Sequence, residues 1–182
     1  MALAVASDAL RPDDVESLAA MLAADDVPVE VIGHGSKRSV GRPIDARPLD
    51  LSALNGVIDY HPAELVLKAR AATPLDSIRA MLGDEGQCLA FEPADLGPLL
   101  GTDVVPTIGG VLASNMSGSR RISAGSARDH FLGVTAVNGA GQVFRAGGHV
   151  VKNVTGYDLP KLLAGSWGTL AVMADVTLKV VP

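Results

Sequence analysis

The first periodic stretch of the chain has the pattern of an amphipathic helix. Pro and acidic residues at 11–14 suit a first helical turn, and apolar residues follow at helical spacing, at Val15, Leu18, Ala19 and Leu22. Asp25-Asp26 should end this helix. The β-branched run 27–32 then predicts a strand, which leads directly into the turn sequence Gly33-His34-Gly35-Ser36-Lys37.

The rest of the first hundred residues alternates short strands with a second helix. We predict a loop over 36–48, where Gly and Pro are frequent, and strands at 49–51, 57–60, 65–71 and 87–91. Thr73-Pro74-Leu75-Asp76 has the pattern of a helix start, with Thr73 as the N-cap, and this helix should stop at Gly83. Cys88 is expected in the core.

Beyond residue 100 the pattern changes to longer strands and glycine-rich turns. We predict short helices at 109–115 and 158–163, and strands at 134–138, 143–146 and 170–181, the first two joined by a hairpin at Gly139-Ala140-Gly141. The last strand alternates, so one face should carry Val172, Ala174, Val176, Leu178 and Val180.

These elements predict an α+β fold with two subdomains. Residues 1–100 would form a small α/β unit, and residues 101–182 a mostly antiparallel sheet with helices. The boundary should lie near 97–101.

Composition limits the classes of function that this chain can have. The chain has 182 residues, of which 48% are hydrophobic and only 3% aromatic, so it can bury a core but lacks the stacking platforms of single-stranded nucleic-acid binders. Residues 1–100 carry 16 acidic and 8 basic side chains, whereas residues 101–182 carry 4 and 7, together with 13 of the 20 Gly. A glycine-rich, mildly basic half either presents backbone amides to an anionic ligand or is simply rich in β-turns.

The remaining residue counts exclude several kinds of site. One cysteine rules out an internal disulfide framework, and the four scattered His have no metal-ligand spacing, so no metal is expected. The N-terminus lacks the basic region of a signal peptide, and no apolar stretch is long enough to span a bilayer. We therefore expect a cytoplasmic protein.

Gly33-x-Gly35 after a strand suggests a dinucleotide site, but two common patterns do not fit. The Rossmann pattern needs a third Gly where Arg38 stands and a helix directly after it, and the Walker pattern is absent. Taken alone, this segment favours a plain turn over a dinucleotide site.

A series of further motifs in a fixed order changes this interpretation. They are Pro106-Thr107-Ile108-Gly109-Gly110, Ala113-Ser114-Asn115, Gly118, Arg128-Asp129, Thr155-Gly156-Tyr157-Asp158-Leu159 and Gly165-Ser166-Trp167-Gly168-Thr169-Leu170. In this order they resemble the FAD-binding domain of the vanillyl-alcohol oxidase / p-cresol methylhydroxylase family over about residues 10–182. Within the family, residues 152–170 are most similar to the E subunits of bacterial glycolate oxidases.

The resemblance implies FAD, held non-covalently, and assigns residues to it. The pyrophosphate loop would be Ile32, Gly33, His34, Gly35, Ser36 and Lys37. A helix start would meet the ribityl–phosphate region through Thr107, Ile108, Gly109 and Gly110, followed along the cofactor by Ser114, Asn115 and Gly118. The flavin would be approached by Gly165, Ser166, Gly168 and Thr169, with Val172 nearby.

Several of these assignments have structural alternatives. Lys37 could be a solvated loop lysine, Arg128 and Asp129 could contact the cofactor or form an internal pair, and Tyr157 and Asp158 could be a corner and a helix cap. His34 stands between two glycines and not after a Gly-Gly pair, so a covalent tether is not expected.

The resemblance also implies a 2-hydroxy-acid oxidoreductase that converts glycolate to glyoxylate through FAD. Its partners would be other oxidase subunits, including a flavin subunit and an iron–sulfur subunit, and it could be peripheral to the inner membrane through them. No catalytic residue is assigned, and the cap domain that supplies the substrate pocket in relatives is not found in these residues, so this segment alone should be inactive. The alternatives are a D-lactate or other 2-hydroxy-acid dehydrogenase, a non-catalytic subunit that holds FAD for assembly, and a glycine-rich domain without a nucleotide.

Overall fold

Two β-sheets organise the chain in a computed structural model that describes residues 8–148 and 156–182. The small sheet pairs β1 (Val29–Ile32) with β2 (Arg47–Asp50) in parallel. The larger sheet has the order β3-β4-β7-β5-β6 with antiparallel neighbours throughout, and consists of β3 (Val57–His61), β4 (Val66–Arg70), β5 (Phe131–Val137), β6 (Val143–Gly147) and β7 (Val172–Lys179). This confirms the predicted α+β class.

Short helices connect and cover these strands. They are α1 (Val15–Ala23), α2 (Leu75–Asp84), α3 (Gly97–Leu100), α4 (Ile108–Ser114), α5 (Arg121–Ala124) and α6 (Leu159–Leu163), with single 3-10 turns at Pro62–Glu64 and Ala127–His130. α1 begins as its sequence predicts, because the Asp14 carboxylate accepts a hydrogen bond from the Ser17 backbone N–H at 2.7 Å. Within residues 8–148 and 156–182, no helix has the length and apolar character needed to cross a membrane.

The start of α2 differs from the prediction. Its N-cap is Pro74, without a side-chain hydrogen bond, so the assignment of this role to Thr73 is wrong. The Thr73 hydroxyl instead donates to the Arg70 carbonyl at 2.7 Å and accepts from the Gly56 N–H at 3.0 Å. A hydroxyl that could have capped the helix therefore ties the end of β4 to the loop before β3.

The central strand β7 divides its apolar residues between two core clusters. Val172 and Ala174 pack with Leu18 of α1, whereas the larger cluster, which includes α2 and α4, contains Val176, Leu178 and Val180. The single face predicted for these residues is therefore wrong. The register between β7 and β5 shifts in this region, and a bulge with one extra residue reverses the alternation of the side chains that follow it.

The strand predicted over 87–91 is also wrong. It is reduced to a single bridge, in which the Cys88 N–H donates to the Val181 carbonyl at 2.8 Å. Cys88 is exposed, not in the core, whereas its neighbours Leu89 and Phe91 are buried. The subdomain boundary near 97–101 stays a prediction, and the five-stranded sheet takes strands from both sides of it.

Candidate functional site

A cleft of about 630 Å³ lies at the end of β1. Its walls include the turn 33–37, the first turn of α4, and the segment 167–173 that leads into β7. Its volume lies within the usual range of small-molecule sites, about 300–1,000 Å³.

The two glycines of the turn are needed for different reasons. A Cβ on Gly33 would lie 2.5 Å from the Thr107 hydroxyl oxygen, so no side chain fits there. Gly35 has φ +77°, a conformation that glycine adopts at little cost. The turn is tied to the segment before α4 because the His34 ring Nδ1 lies 3.1 Å from the Val105 carbonyl.

The start of α4 offers backbone surface to the cleft. The Thr107 hydroxyl caps the helix by accepting from the Gly110 N–H at 3.2 Å. Gly109 packs so closely on β4 that its Cβ would lie 2.7 Å from the Ala71 carbonyl oxygen. Gly110 and Ala113 are three residues apart, hence on one face of α4, and both line the cleft. A ligand can therefore come close to the helix backbone.

Lys37 places a cation beside this helix start. Its Nζ is 3.8 Å from the position that a Gly110 Cβ would occupy, and its side chain is half-buried. Burial lowers the pKa of Lys37, and the Asp95 carboxylate acts in the opposite direction. In the part of the chain that the structure describes, the Lys37 ammonium makes no hydrogen bond or ion pair. The ammonium group is thus in place for an anion.

Arg38, the next residue, has a different environment. Its guanidinium makes two hydrogen bonds to the Glu30 carboxylate on β1, at 2.9 and 2.7 Å. These bonds raise the pKa of Arg38 above its ordinary value. Arg38 therefore holds the turn against β1.

Trp167 and Gly168, the second half of the turn 165–168, line the apolar part of the cleft. This turn attaches to the end of α4, where the Trp167 N–H donates to the Ala113 carbonyl at 2.9 Å and the Gly165 N–H donates to Leu112 at 3.1 Å. On its other side, a Cβ on Gly168 would lie 3.3 Å from a Val31 methyl group. Further apolar lining comes from Val29, Ala71, Ala171, Val172 and Met173.

Comparison with known proteins decides the family. A family model described as an FAD binding domain matches residues 9–147. The chain belongs to this family.

Individual relatives agree with this assignment. The glycolate oxidase subunit GlcE of Escherichia coli is 42% identical over 158 residues, which cover 87% of this chain and 43% of that protein. A D-lactate dehydrogenase of Anaerostipes hadrus is 30% identical over 134 residues, 74% of this chain and 26% of that protein. The chain thus spans less than half the length of these relatives. A solved alkyldihydroxyacetonephosphate synthase shares the fold, with a TM-score of 0.74 over 95% of this chain and 31% of that one, at 21% identity.

The cleft of this FAD-binding domain fits the cofactor chemically. A pyrophosphate needs cations and N–H donors, which the glycine turn and the Lys37 ammonium can supply. The rings of FAD need apolar surface, which the wall around Trp167 can supply.

The structure brings most of the predicted cofactor residues to the cleft and leaves others outside its lining. Those lining it are Ile32, Gly33, His34, Gly35, Ser36, Lys37, Thr107, Gly109, Gly110, Gly168, Thr169 and Val172. Those outside its lining are Ile108, Ser114, Asn115, Gly118, Arg128, Asp129, Gly165 and Ser166. Their roles in FAD binding stay predictions.

Several residues outside the lining make hydrogen bonds within the fold. The Ser114 hydroxyl donates to the Gly110 carbonyl of its own helix at 2.9 Å. The Asn115 side-chain oxygen accepts from the Arg128 N–H at 3.0 Å, and the Asp129 carboxylate accepts from the Ser126 N–H at 2.8 Å. Arg128 and Asp129 thus bond to different partners.

Two motifs near the C-terminal end of the chain remain. Asp158 is the N-cap of α6, accepting from the Lys161 N–H at 3.3 Å, which agrees with the helix-cap alternative, and Tyr157 is exposed. Residues 152–155, which belong to the segment that carries the resemblance, lie outside the described residues.

Sequence reasoning missed several residues of the cleft wall. Ala71, Ala113 and Met173 line it, and so does Trp167, which was not assigned to the cofactor although its motif was identified. One signal was available: Gly110 and Ala113 are small residues at i and i+3, which predicts a bare helix face.

Proposed function

We propose that the cleft binds FAD non-covalently, with its pyrophosphate on the turn 33–37, and that the chain is the FAD-binding part of a 2-hydroxy-acid oxidoreductase. The observation that carries the proposal is the half-buried Lys37 ammonium, which lies beside Gly110 and makes no ion pair within the described residues. An anionic ligand would restore the interactions that this charge loses on burial.

The residues of this chain would bind and orient the cofactor. Lys37 and the amides of the turn would hold the phosphates, and the bare face of α4 would admit the rest of the molecule. FAD itself, when bound, supplies the capacity to accept a hydride. The chain's role is to position that group and to exclude water from one side of it.

Non-covalent attachment is supported by the hydrogen bond of His34. A carbonyl oxygen only accepts, so the 3.1 Å contact to Val105 requires a proton on the His34 Nδ1. This bond opposes a tether at Nδ1, and the position of His34 between two glycines, not after a Gly-Gly pair, opposes a tether at either ring nitrogen. Denaturation followed by ultrafiltration tests this point, since non-covalent FAD passes into the filtrate.

The proposed substrate is glycolate, oxidised to glyoxylate. The similarity to a glycolate oxidase subunit at 42% identity supports it, and the similarity to a D-lactate dehydrogenase supports a second candidate, D-lactate. The proposal includes other oxidase subunits as partners, among them a flavin and an iron–sulfur subunit, and a cytoplasmic location peripheral to the inner membrane through them. Bleaching of the flavin in the purified complex by glycolate, D-lactate or neither separates the two substrates from a non-catalytic FAD-holding subunit.

Cofactor binding is tested by titrating the chain with FAD and FMN while recording the visible spectrum and the melting temperature. At a free FAD concentration of about 100 times Kd, binding should stabilise the fold by about 2.7 kcal/mol, which raises the melting temperature by about 5–10 °C. A folded chain that binds neither flavin would contradict the proposal.

A pair of glycine variants locates the site. Gly35→Glu places a carboxylate in the proposed pyrophosphate turn and should abolish FAD retention. Gly56→Glu is the matched control, because Gly56 also has a positive φ, of +116°, has open space around it, and is not part of the cleft lining. Equal FAD retention by both variants would place the cofactor elsewhere.

A further inference from the structure

Trp167 has a backbone conformation that bulky residues avoid. Its φ is +55°, in the left-handed region where the Cβ of most residues clashes with the backbone. Gly165 and Gly168, on either side, also have positive φ, of +84° and +79°. This turn therefore uses glycine at two left-handed positions and tryptophan at a third.

Core packing does not explain the tryptophan. Trp167 is one of the residues that line the cleft, and it is 45% exposed. The hydrogen bond that fixes its position, from its N–H to the Ala113 carbonyl, comes from the backbone and is open to any residue except proline. The cost of the conformation is thus not offset by a fully buried indole.

Trp167 and Lys37 both lie against α4 at residues that line the cleft, Ala113 and Gly110. Lys37 Nζ lies beside Gly110, and Trp167 is bonded to Ala113, three residues later, which is about 4.5 Å along the helix axis. A ligand lying on these two residues would therefore meet a cation and an aromatic surface within one helical turn. Strained residues persist only where the surrounding structure holds them, and they are concentrated at active sites and ligand sites.

We propose that Trp167 is a cofactor-positioning residue whose indole packs against an aromatic ring of FAD. The inference rests on the proposed function and adds to it a side-chain contact that fixes the ring. The isoalloxazine and the adenine are both flat π-systems and would both suit an indole, so the chemistry of the contact is ring stacking.

The test compares Trp167→Gly with Trp167→Phe in the purified chain. Glycine relieves the backbone conformation but removes the ring, so the ligand-free Trp167→Gly variant should melt within about 2 °C of the unaltered chain or above it. Its Kd for FAD should rise at least 10-fold. Trp167→Phe should keep FAD affinity within about 3-fold, because it keeps an aromatic face.

Leu170→Ala is the matched control. Leu170 is 52% exposed, lies on the same loop and is outside the cleft lining, so its truncation should leave the Kd for FAD unchanged.

Titrations of the Trp167→Gly variant with FMN and with ADP identify which ring of FAD the indole contacts. A loss confined to FMN assigns the isoalloxazine, and a loss confined to ADP assigns the adenine.

Three outcomes would overturn the inference. They are an unchanged Kd for FAD in Trp167→Gly, a fall in its ligand-free melting temperature beyond 2 °C that marks Trp167 as a structural residue, and a weaker Kd for FAD with unchanged affinities for both FMN and ADP. If the unaltered chain binds no FAD, the proposed function fails together with the inference. If it binds FAD and the Trp167→Gly variant binds equally well, only the inference fails.

Discussion

We expect the Lys37 side chain to make ligand binding in the cleft depend on pH. Burial holds its pKa in the folded chain below the ordinary 10.5, so the protonated lysine opposes folding at neutral pH, and this cost disappears as the pH rises toward 10.5. A bound phosphate would reverse the balance by stabilising the charged form. Cofactor binding and stability of the ligand-free chain should therefore respond in opposite directions to the loss of this charge.

Lys37→Met should show both responses. At pH 7 we expect its Kd for FAD to be at least 10-fold weaker, by about 1.5–3 kcal/mol, and its ligand-free melting temperature to be equal or higher. The affinity of the unaltered chain should fall as the pH rises through the folded pKa of Lys37, whereas that of the variant should stay constant over that range. Calorimetric titrations from pH 7 to 10 measure this, and parallel profiles for the two proteins would return Lys37 to the role of a solvated lysine.

Gly33 packs closely against Thr107, so the turn and the start of α4 are in van der Waals contact. Gly33→Ala forces its new methyl group against the Thr107 hydroxyl, which caps α4, so we expect a loss of about 1–3 kcal/mol in the free energy of unfolding. In a Thr107→Ala background the additional cost of Gly33→Ala should shrink, because the clashing atom is gone. Chemical denaturation of the four proteins of this cycle measures the coupling.

A matched glycine checks that the effect is steric. Gly83 in α2 has no positive φ and no atom near the position of its missing Cβ, so Gly83→Ala should be neutral or should stabilise by up to about 1 kcal/mol. Equal losses in Gly33→Ala and Gly83→Ala would show that the Thr107 contact is not the cause.

At the scale of elements, side-chain caps hold several short helical segments of this fold. The turn Ala127–His130 has a capping box, in which the Asp129 carboxylate accepts from the backbone N–H and the hydroxyl of Ser126, both at 2.8 Å. The Ser126 N–H is the main cause that lowers the pKa of Asp129 below its ordinary 3.8. The stability from this box is complete above that value and is lost as the pH falls through the lowered pKa.

Asp129→Asn should reduce the free energy of unfolding by about 0.5–1 kcal/mol at pH 7, with a difference that shrinks below about pH 4. The exposed Asp103→Asn is a control for the change in charge and should have no such effect. Measuring FAD affinity in the same variant also tests the predicted cofactor role of Asp129. An unchanged Kd together with lower stability would assign it to the fold alone.

Elements were predictable where their signals are local. α1 follows from its capping sequence and helical spacing, and β1 and its glycine turn follow from a β-branched run that ends at Gly33. Thr73 was assigned incorrectly because its hydroxyl can bond either to a helix N–H or to the backbone of Gly56 and Arg70. Tertiary neighbours decide between these partners. The face of β7 was also wrong, because a bulge is set by pairing with β5 and not by the alternation of the strand itself.

The residues of the candidate site also differ in how far local sequence signals predict them. The turn 33–37 and the helix start at 107–110 were predicted from the sequence, because glycine after a strand favours a turn and threonine is favoured just before a helix. The lining by Ala71 and Met173 was not, because these apolar residues reach the cleft only through the packing of α4 and β7. The hydrogen bonds of Asn115 and Asp129 likewise depend on which segments meet in three dimensions.

At the scale of the whole molecule, β7 is the central strand of the larger sheet. It pairs with β4 on one side and β5 on the other, and so joins strands from the two halves of the sequence.

Val176→Asp puts a carboxylate at a fully buried position of this strand, and we expect it to abolish cooperative unfolding. Val143→Asp, on the edge strand β6 at a 44% exposed position, should change stability by no more than about 0.5–1 kcal/mol. Circular dichroism during thermal melting distinguishes them, and two similar melting curves would contradict a central role of β7.

The order of the strands also has a consequence during synthesis. The ribosome makes β7 last of the seven strands described, although it occupies the middle of the larger sheet. Until it emerges, the β3–β4 and β5–β6 hairpins each present an unpaired edge, at β4 and at β5. Such edges can pair with other chains, and pairings between distant parts of a sequence form slowly. The nascent chain should therefore be exposed to aggregation until β7 closes the sheet.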